Sequence, residues 1–214
     1  MNKRILLVGG GGHCKSVLDT LVKLNIYTEI KIIDKKENIG NSVMGFSIIG
    51  EDKDLPDLFQ KGYNYAFITV GSVGDTSIRI KLFNMLKTIG YQIPTIVDPS
   101  SKVSKYSRIE EGVFIGKLSI VNADAIIQEC AIINSGSIVE HDCQIGSFAH
   151  ISPGAVLGGE VIIGNNTHVG LNATIMQQIK IGSNSIIGMG SIVNNNINNN
   201  KLAYGTPCKE VKNI

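Results

Sequence analysis

His141, Asp142 and Cys143 stand side by side, and few runs of three residues offer more chemistry. An imidazole beside a carboxylate is a general base with an orienting partner, and a thiol beside an imidazole is a nucleophile with its base. Any of the three could also ligate a metal. Two more histidines follow, His150 and His168, eighteen residues apart, and the fourth, His13, closes the run Gly9-Gly10-Gly11-Gly12-His13. Choosing among these chemistries requires the direction of each side chain, which the surrounding elements set.

The dominant pattern around these residues has a period of six. Stepping by six from Val97 to Val193 meets seventeen residues, all aliphatic, among them Val121, Val139, Ile151 and Ile175. Four residues after each of the first sixteen comes a mostly small side chain: fourteen of them are Ser, Ala, Thr or Val. Neither a helix, with apolar residues three and four apart, nor an alternating strand explains six. A coil of three short flat strands does, with the aliphatic residue on the axis, the small residue near the corner, and Gly or Asn taking the turns. Residues eighteen apart then stack at about 4.8 Å. The expected element is a parallel β-helix of five to six coils between about Val97 and Val193. The segment Asn194–Asn200 reads as an adaptable turn leaving the last coil.

That frame assigns directions. Val139 points to the axis, and Cys143, four later, lies inside the wall, where apolar packing raises a thiol pKa and disfavours nucleophilic use. His141 projects outward beside Asp142 or Glu140, as a general base should. Gly159, one coil on, is expected to leave space beside the imidazole for a substrate or thioester arm. His150 and His168 stack at one outward row, and a solvent-facing surface position is expected for His168. Cysteine spacing does not indicate zinc, and three converging histidines are not found in one row.

The first ninety residues read differently. A buried strand at Lys3–Val8, the glycine loop Gly9–His13, a helix at Cys14–Asn25 with Val17, Leu18, Leu21 and Val22 on its apolar face, and a strand at Ile30–Ile33 form a βαβ opening. A third strand at Tyr65–Val70 and a helix from about Thr76 to Gly90 extend it. Ligands of such sheets bind at the carboxyl ends of the strands, where Gly9–His13, Asp34 and Gly71-Ser72 converge. A dinucleotide fingerprint begun at Gly9 requires glycine at position 14, and Cys14 stands there. A nucleotide or nucleotide-sugar cradle is expected instead.

With a net charge of +2, 18% charged residues and no long run of like charge, nothing points to a nucleic-acid or membrane partner. The apolar run Ile5–Val8 is too short for a signal peptide or a span. Four scattered cysteines, Cys14, Cys130, Cys143 and Cys208, suit free thiols, and a cytoplasmic location is expected.

Taken together, Ile5-Leu6-Leu7-Val8 with Gly9–His13, the segment Ile93-Pro94-Thr95-Ile96-Val97-Asp98-Pro99-Ser100, the stretch from Asn134 to Asp142 and the closing Tyr204-Gly205-Thr206-Pro207-Cys208-Lys209 resemble one family. It is the hexapeptide-repeat sialic acid O-acetyltransferase and nucleotide-linked 4-aminosugar N-acetyltransferase family of bacterial surface-glycan pathways. The resemblance implies a small α/β Rossmann-like nucleotide-sugar-binding domain over residues 1–94, and a left-handed β-helix acetyltransferase domain with a C-terminal tail over 95–214. It implies His141 as catalytic base, Asp142 as the acid that raises its basicity, and acetyl-CoA as co-substrate along His150, Gly159, Leu171 and Met189. The nucleotide-linked amino sugar is expected on Gly11, Gly12, His13, Asp34, Lys35 and Gly71. A homotrimer with active sites between subunits, and no metal, completes the expectation. Direct N-acetylation is the leading reading, and O-acetylation of a sialic acid is the alternative. A non-catalytic nucleotide-binding scaffold and a zinc hydrolyase, since carbonic anhydrase relatives share the repeat, come from other classes. Cys14 and Met189 replace common family glycines, Asp98 stands where histidine is frequent, and Lys35 replaces a second acid.

Overall fold

The computed structural model describes residues 3–214, and they form two compact units. The first comprises residues up to 72 together with 77–96; the second comprises 97–214 and takes in the short segment 73–76. No described helix is long and apolar enough to cross a membrane.

The first unit is an α/β layer. Strand β1 (Arg4–Val8) pairs in parallel with β2 (Glu29–Ile33) on one side and β5 (Tyr65–Ile68) on the other. Strand β4 (Phe46–Gly50) continues the sheet beyond β2, and the two-residue β3 (Ser42–Val43) closes the edge antiparallel to β4. Helices α1 (Gly12–Leu24), α2 (Leu55–Gln60) and α3 (Ser77–Ile89) follow β1, β4 and β5. Helix α1 starts at Gly12, so Gly12 and His13 belong to its first turn and not to the preceding loop. Its buried stripe is Cys14, Val17, Leu18 and Leu21, all at most 1% exposed. Val22, expected on that face, is 52% exposed, because one step beyond Leu21 rotates it about 100° off the stripe. Strands β3 and β4 carry too few alternating apolar residues to announce themselves.

The second unit is a left-handed parallel β-helix. Seventeen two-residue strands, from Ile96–Val97 to Ile192–Val193, stack into three parallel sheets with partners eighteen residues apart, as in Val121 on Val139 and Ile133 on Ile151. From Ile115 onward the axial positions are at most about 1% exposed. Val97, Val103 and Ile109 are only partly buried, since no further coil caps that end.

The corners depart from the expectation that Gly or Asn takes the turns. From Gly112 to Gly190, every sixth residue has a left-handed backbone, and only seven of these fourteen are Gly or Asn. Leu118, Asp124, Cys130, Asp142, Phe148, Glu160 and Gln178 fill the rest. A left-handed residue with a Cβ costs roughly 1–2 kcal/mol. Coil stacking holds the conformation in place: Asp142 N–H donates to Ala123 O at 3.1 Å, and Glu160 N–H to His141 O at 2.9 Å.

The asparagine segment also differs from expectation. It completes a coil shortened by two residues: Ile197 bridges Ile181, and Lys180 N–H donates to Asn196 Oδ1 at 2.8 Å. The partner offset becomes sixteen, with Ile186 on Leu202 and Ile187 on Ala203. An antiparallel hairpin, Lys201–Gly205 with Cys208–Asn213, ends the chain.

Candidate active site

The six-residue frame puts His141 on a corner, two residues past axial Val139 and one before the left-handed Asp142 (φ 60°). That turn brings the Asp142 carboxylate back to the ring, with Oδ2 2.7 Å from His141 Nδ1. An ionised carboxylate only accepts, so Nδ1 carries the proton and Nε2 keeps its lone pair. The pair is open to solvent, at 57% and 54% side-chain exposure. Asp142, through that hydrogen bond, holds the imidazole above its ordinary pKa, and Glu140 and Glu160 add to the effect.

Gly159 lies one coil away, and its role differs from the expected vacancy. A Cβ there would fall 2.6 Å from His141 Cε1 and Nε2. The imidazole itself uses the missing side chain, its Cε1 and Nε2 lying nearest the glycine. Beside it runs an open groove of about 630 Å³ lined by Asp142, Gln144, Glu160, Ile162, Gln178 and Lys180. Cys143 is fully buried, its thiol donates to Gly158 O at 3.2 Å, and burial pushes its pKa up to about 11. Neither nucleophile nor ligand fits that setting.

His150 is half-buried on another face, with Nε2 3.1 Å from Asn134 Nδ2. Asn134 Oδ1 accepts the Ser135 N–H at 2.8 Å, which fixes the amide so that its nitrogen faces His150. His150 Nε2 therefore accepts, and the ring proton sits on Nδ1. Asn134 appears in the sequence only as part of a motif, because its partner lies sixteen residues away. His168 corrects the surface expectation: it is 7% exposed, with burial lowering its pKa. The segment 73–76 lies against that face, with Thr76 Oγ1 donating to Asn166 Oδ1 at 3.0 Å. Leu171 and Met189, eighteen apart on a neighbouring corner, are 47% and 75% exposed. Such an exposed apolar pair suits the apolar arm of a thioester co-substrate. Among the described residues, no group of three or more His, Cys, Asp or Glu is placed to hold a metal ion.

In the α/β unit, Asp34 Oδ2 accepts the Gly10 N–H at 2.8 Å, and a side chain on Gly10 would collide with that carboxylate. A cavity of about 440 Å³ opens at the strand ends, with apolar Val8, Ile33, Val70, Ile78 and Leu82 and polar Asp34, Lys35, Glu51 and Asp52. Of the residues expected there, Asp34 and Lys35 line it. Gly11, Gly12, His13 and Gly71 do not, although open space surrounds the first two and Gly71 lies against His13. Gly11 is the N-cap of α1, without a side-chain cap, so the first-turn N–H groups are available to an anion. Glu51 and Asp52 were missed because they follow β4, the strand that the sequence pattern did not mark.

Comparison with known proteins adds a family to this geometry. Residues 4–86 match the PglD N-terminal domain, and 136–166 and 160–195 match the hexapeptide repeat of succinyl-transferase. No curated protein sequence matches the chain significantly. Among solved structures, PerB from Caulobacter crescentus, in complex with CoA and GDP-perosamine, is 32% identical over 97% of each chain, with a TM-score of 0.91. Variants of that perosamine N-acetyltransferase with one histidine replaced by asparagine or alanine are solved with the same two ligands. The acetyltransferase domain of PglB from Neisseria gonorrhoeae is 29% identical over 98% of this chain and 100% of that one, with a TM-score of 0.91. WeeI from Acinetobacter baumannii, at 21% identity, 98% and 100% coverage and a TM-score of 0.87, shares the fold.

Proposed function

The chain belongs to the hexapeptide-repeat acyltransferases that carry a PglD N-terminal domain, and from that premise we propose that it N-acetylates a nucleotide-linked amino sugar using acetyl-CoA. Residues 1–94 bind the nucleotide sugar and residues 95–214 carry the chemistry. The observation that carries the reading is the 2.7 Å His141–Asp142 pair, which leaves Nε2 as an exposed base. As the acceptor nitrogen forms its bond to the acetyl carbon, Nε2 takes the proton it loses. The carbon–sulfur bond breaks, and the same proton is returned to the departing thiolate. Asp142 stabilises the imidazolium between those events.

In the α/β unit, the apolar side of the 440 Å³ cavity suits a nucleobase, with Asp34 and Lys35 at its polar edge and Gly11, Gly12, His13 and Gly71 near the phosphates and sugar. His150, Gly159, Leu171 and Met189 are assigned to acetyl-CoA. The active unit is a homotrimer with acetyl-CoA between neighbouring β-helices, and four buried free thiols suit the cytoplasm. The electrostatics favour an amine acceptor. Glu140, Asp142 and Glu160 surround His141, attract an ammonium and repel the carboxylate of a sialic acid.

The test is a panel of GDP-, dTDP- and UDP-linked 4-aminosugars and CMP-sialic acid with acetyl-CoA, followed by CoA release. An amino sugar should be turned over, and turnover of CMP-sialic acid alone would reverse the reading. In the active assay, His141→Ala should lower kcat/KM by about 10²-fold or more. A loss under tenfold would remove the base assignment.

A further inference from the structure

We propose that His168 is a positioning residue for acetyl transfer: its buried ring sets the plane of His150 and so the direction in which His150 presents its Nδ1–H. The inference rests on the reading that His150 faces acetyl-CoA.

His150 and His168 occupy one row of the β-helix, paired in register between Ile132 above and Ile186 below. Isoleucine is thus what the row carries on either side. An aliphatic residue at 168 would spare the burial of a polar ring, and the histidine stands there against that preference. Its Nδ1 is buried and makes no hydrogen bond among the described residues; Nε2 lies 3.3 Å from Ser152 Oγ.

What the ring does touch is His150. Their centroids are 5.0 Å apart and their planes cross at 79°, the edge-to-face arrangement that aromatic rings favour. Asn134 decides which His150 nitrogen holds the proton, and His168 decides which way the ring faces. A segment from far along the chain packs against the neighbours of His168: Thr76 bonds Asn166, and a Cβ on Gly74 would fall 2.7 Å from Ile186 Cδ1. Held away from water, His168 has its pKa lowered by burial, which favours the neutral ring.

The experiment compares His168→Leu, His168→Phe, His150→Ala and the double variant His150→Ala with His168→Leu. KM is measured separately for acetyl-CoA and the amino sugar, alongside melting midpoints. Leucine fills the site without an aromatic edge. It should raise KM for acetyl-CoA roughly three- to tenfold and leave KM for the amino sugar within about twofold. Phenylalanine keeps the edge and should restore both values to within about twofold. In the double variant the leucine should add nothing to His150→Ala, because the two act through one contact. Equal effects on both KM values, failure of phenylalanine to rescue, or full additivity would overturn the proposal. If His150→Ala raises KM for acetyl-CoA and His168→Leu does not, this inference alone fails. If His150→Ala has no effect, the assignment of His150 fails and this inference goes with it.

Discussion

At the scale of single residues, the six-residue frame separates three adjacent side chains into different chemistries. Cys143 enters the wall and loses its reactivity, whereas the left-handed turn at Asp142 swings its carboxylate onto His141. Because the base acts in its neutral form and its pKa lies above the ordinary 6.5, kcat/KM should rise with pH through an inflection above that value. Asp142→Asn removes the largest cause of the shift and tolerates the left-handed backbone. A pH–rate profile should show its inflection moved down and its plateau lowered. Gly159→Ala tests the other support of the ring. A methyl 2.6 Å from the imidazole must displace it, so kcat should drop by roughly tenfold or more while the melting midpoint changes little. The directions of His141 and Cys143 were legible because they follow from counting along one repeat. That Gly159 is covered by the imidazole was not, since it depends on the rotamer of a residue eighteen positions away.

At the scale of elements, the hexad states which residues face the axis but not how its corners bend. Hydrogen bonds donated to the coil before hold most corners in a left-handed conformation whether or not the residue prefers it. Leu118 is such a corner, with φ 55° and 71% exposure, so its side chain returns little packing for the strain. Leu118→Gly should stabilise the protein by about 0.5–1 kcal/mol, read as a rise of a few degrees in melting midpoint, whereas Asn172→Gly should change little. In the α/β unit, β1, β2, β5 and their helices stood out through their apolar runs. The two-residue edge strand β3 and its neighbour β4 did not, and with them Glu51 and Asp52 at the mouth of the cavity were missed. A strand of two residues has no periodicity to read, and β4 is marked mainly by the sheet it joins.

At the scale of the whole molecule, stability in a solenoid depends on neighbours on both sides, so position along the stack matters as much as residue type. Ile151, fully buried mid-stack, should lose about 2–5 kcal/mol on replacement by alanine, while Ile109, partly exposed at the open end, should lose about half as much or less. Equal losses, measured by denaturant midpoints, would show that the stack does not weaken toward its end. The sequence by itself determined the period, the axial columns, the coil count and the outward placement of His141, because each follows from short-range repetition of side-chain size. It also carried the βαβ opening and the absence of a dinucleotide fingerprint at Cys14. The tertiary structure alone decided what covers the outward positions. His168 is buried, with the segment 73–76 bonded to nearby Asn166, His150 receives its proton placement from Asn134, and a sixteen-residue coil absorbs the asparagines. Those outcomes turn on contacts between residues far apart in the chain, and no local pattern encodes which of several polar partners will meet there.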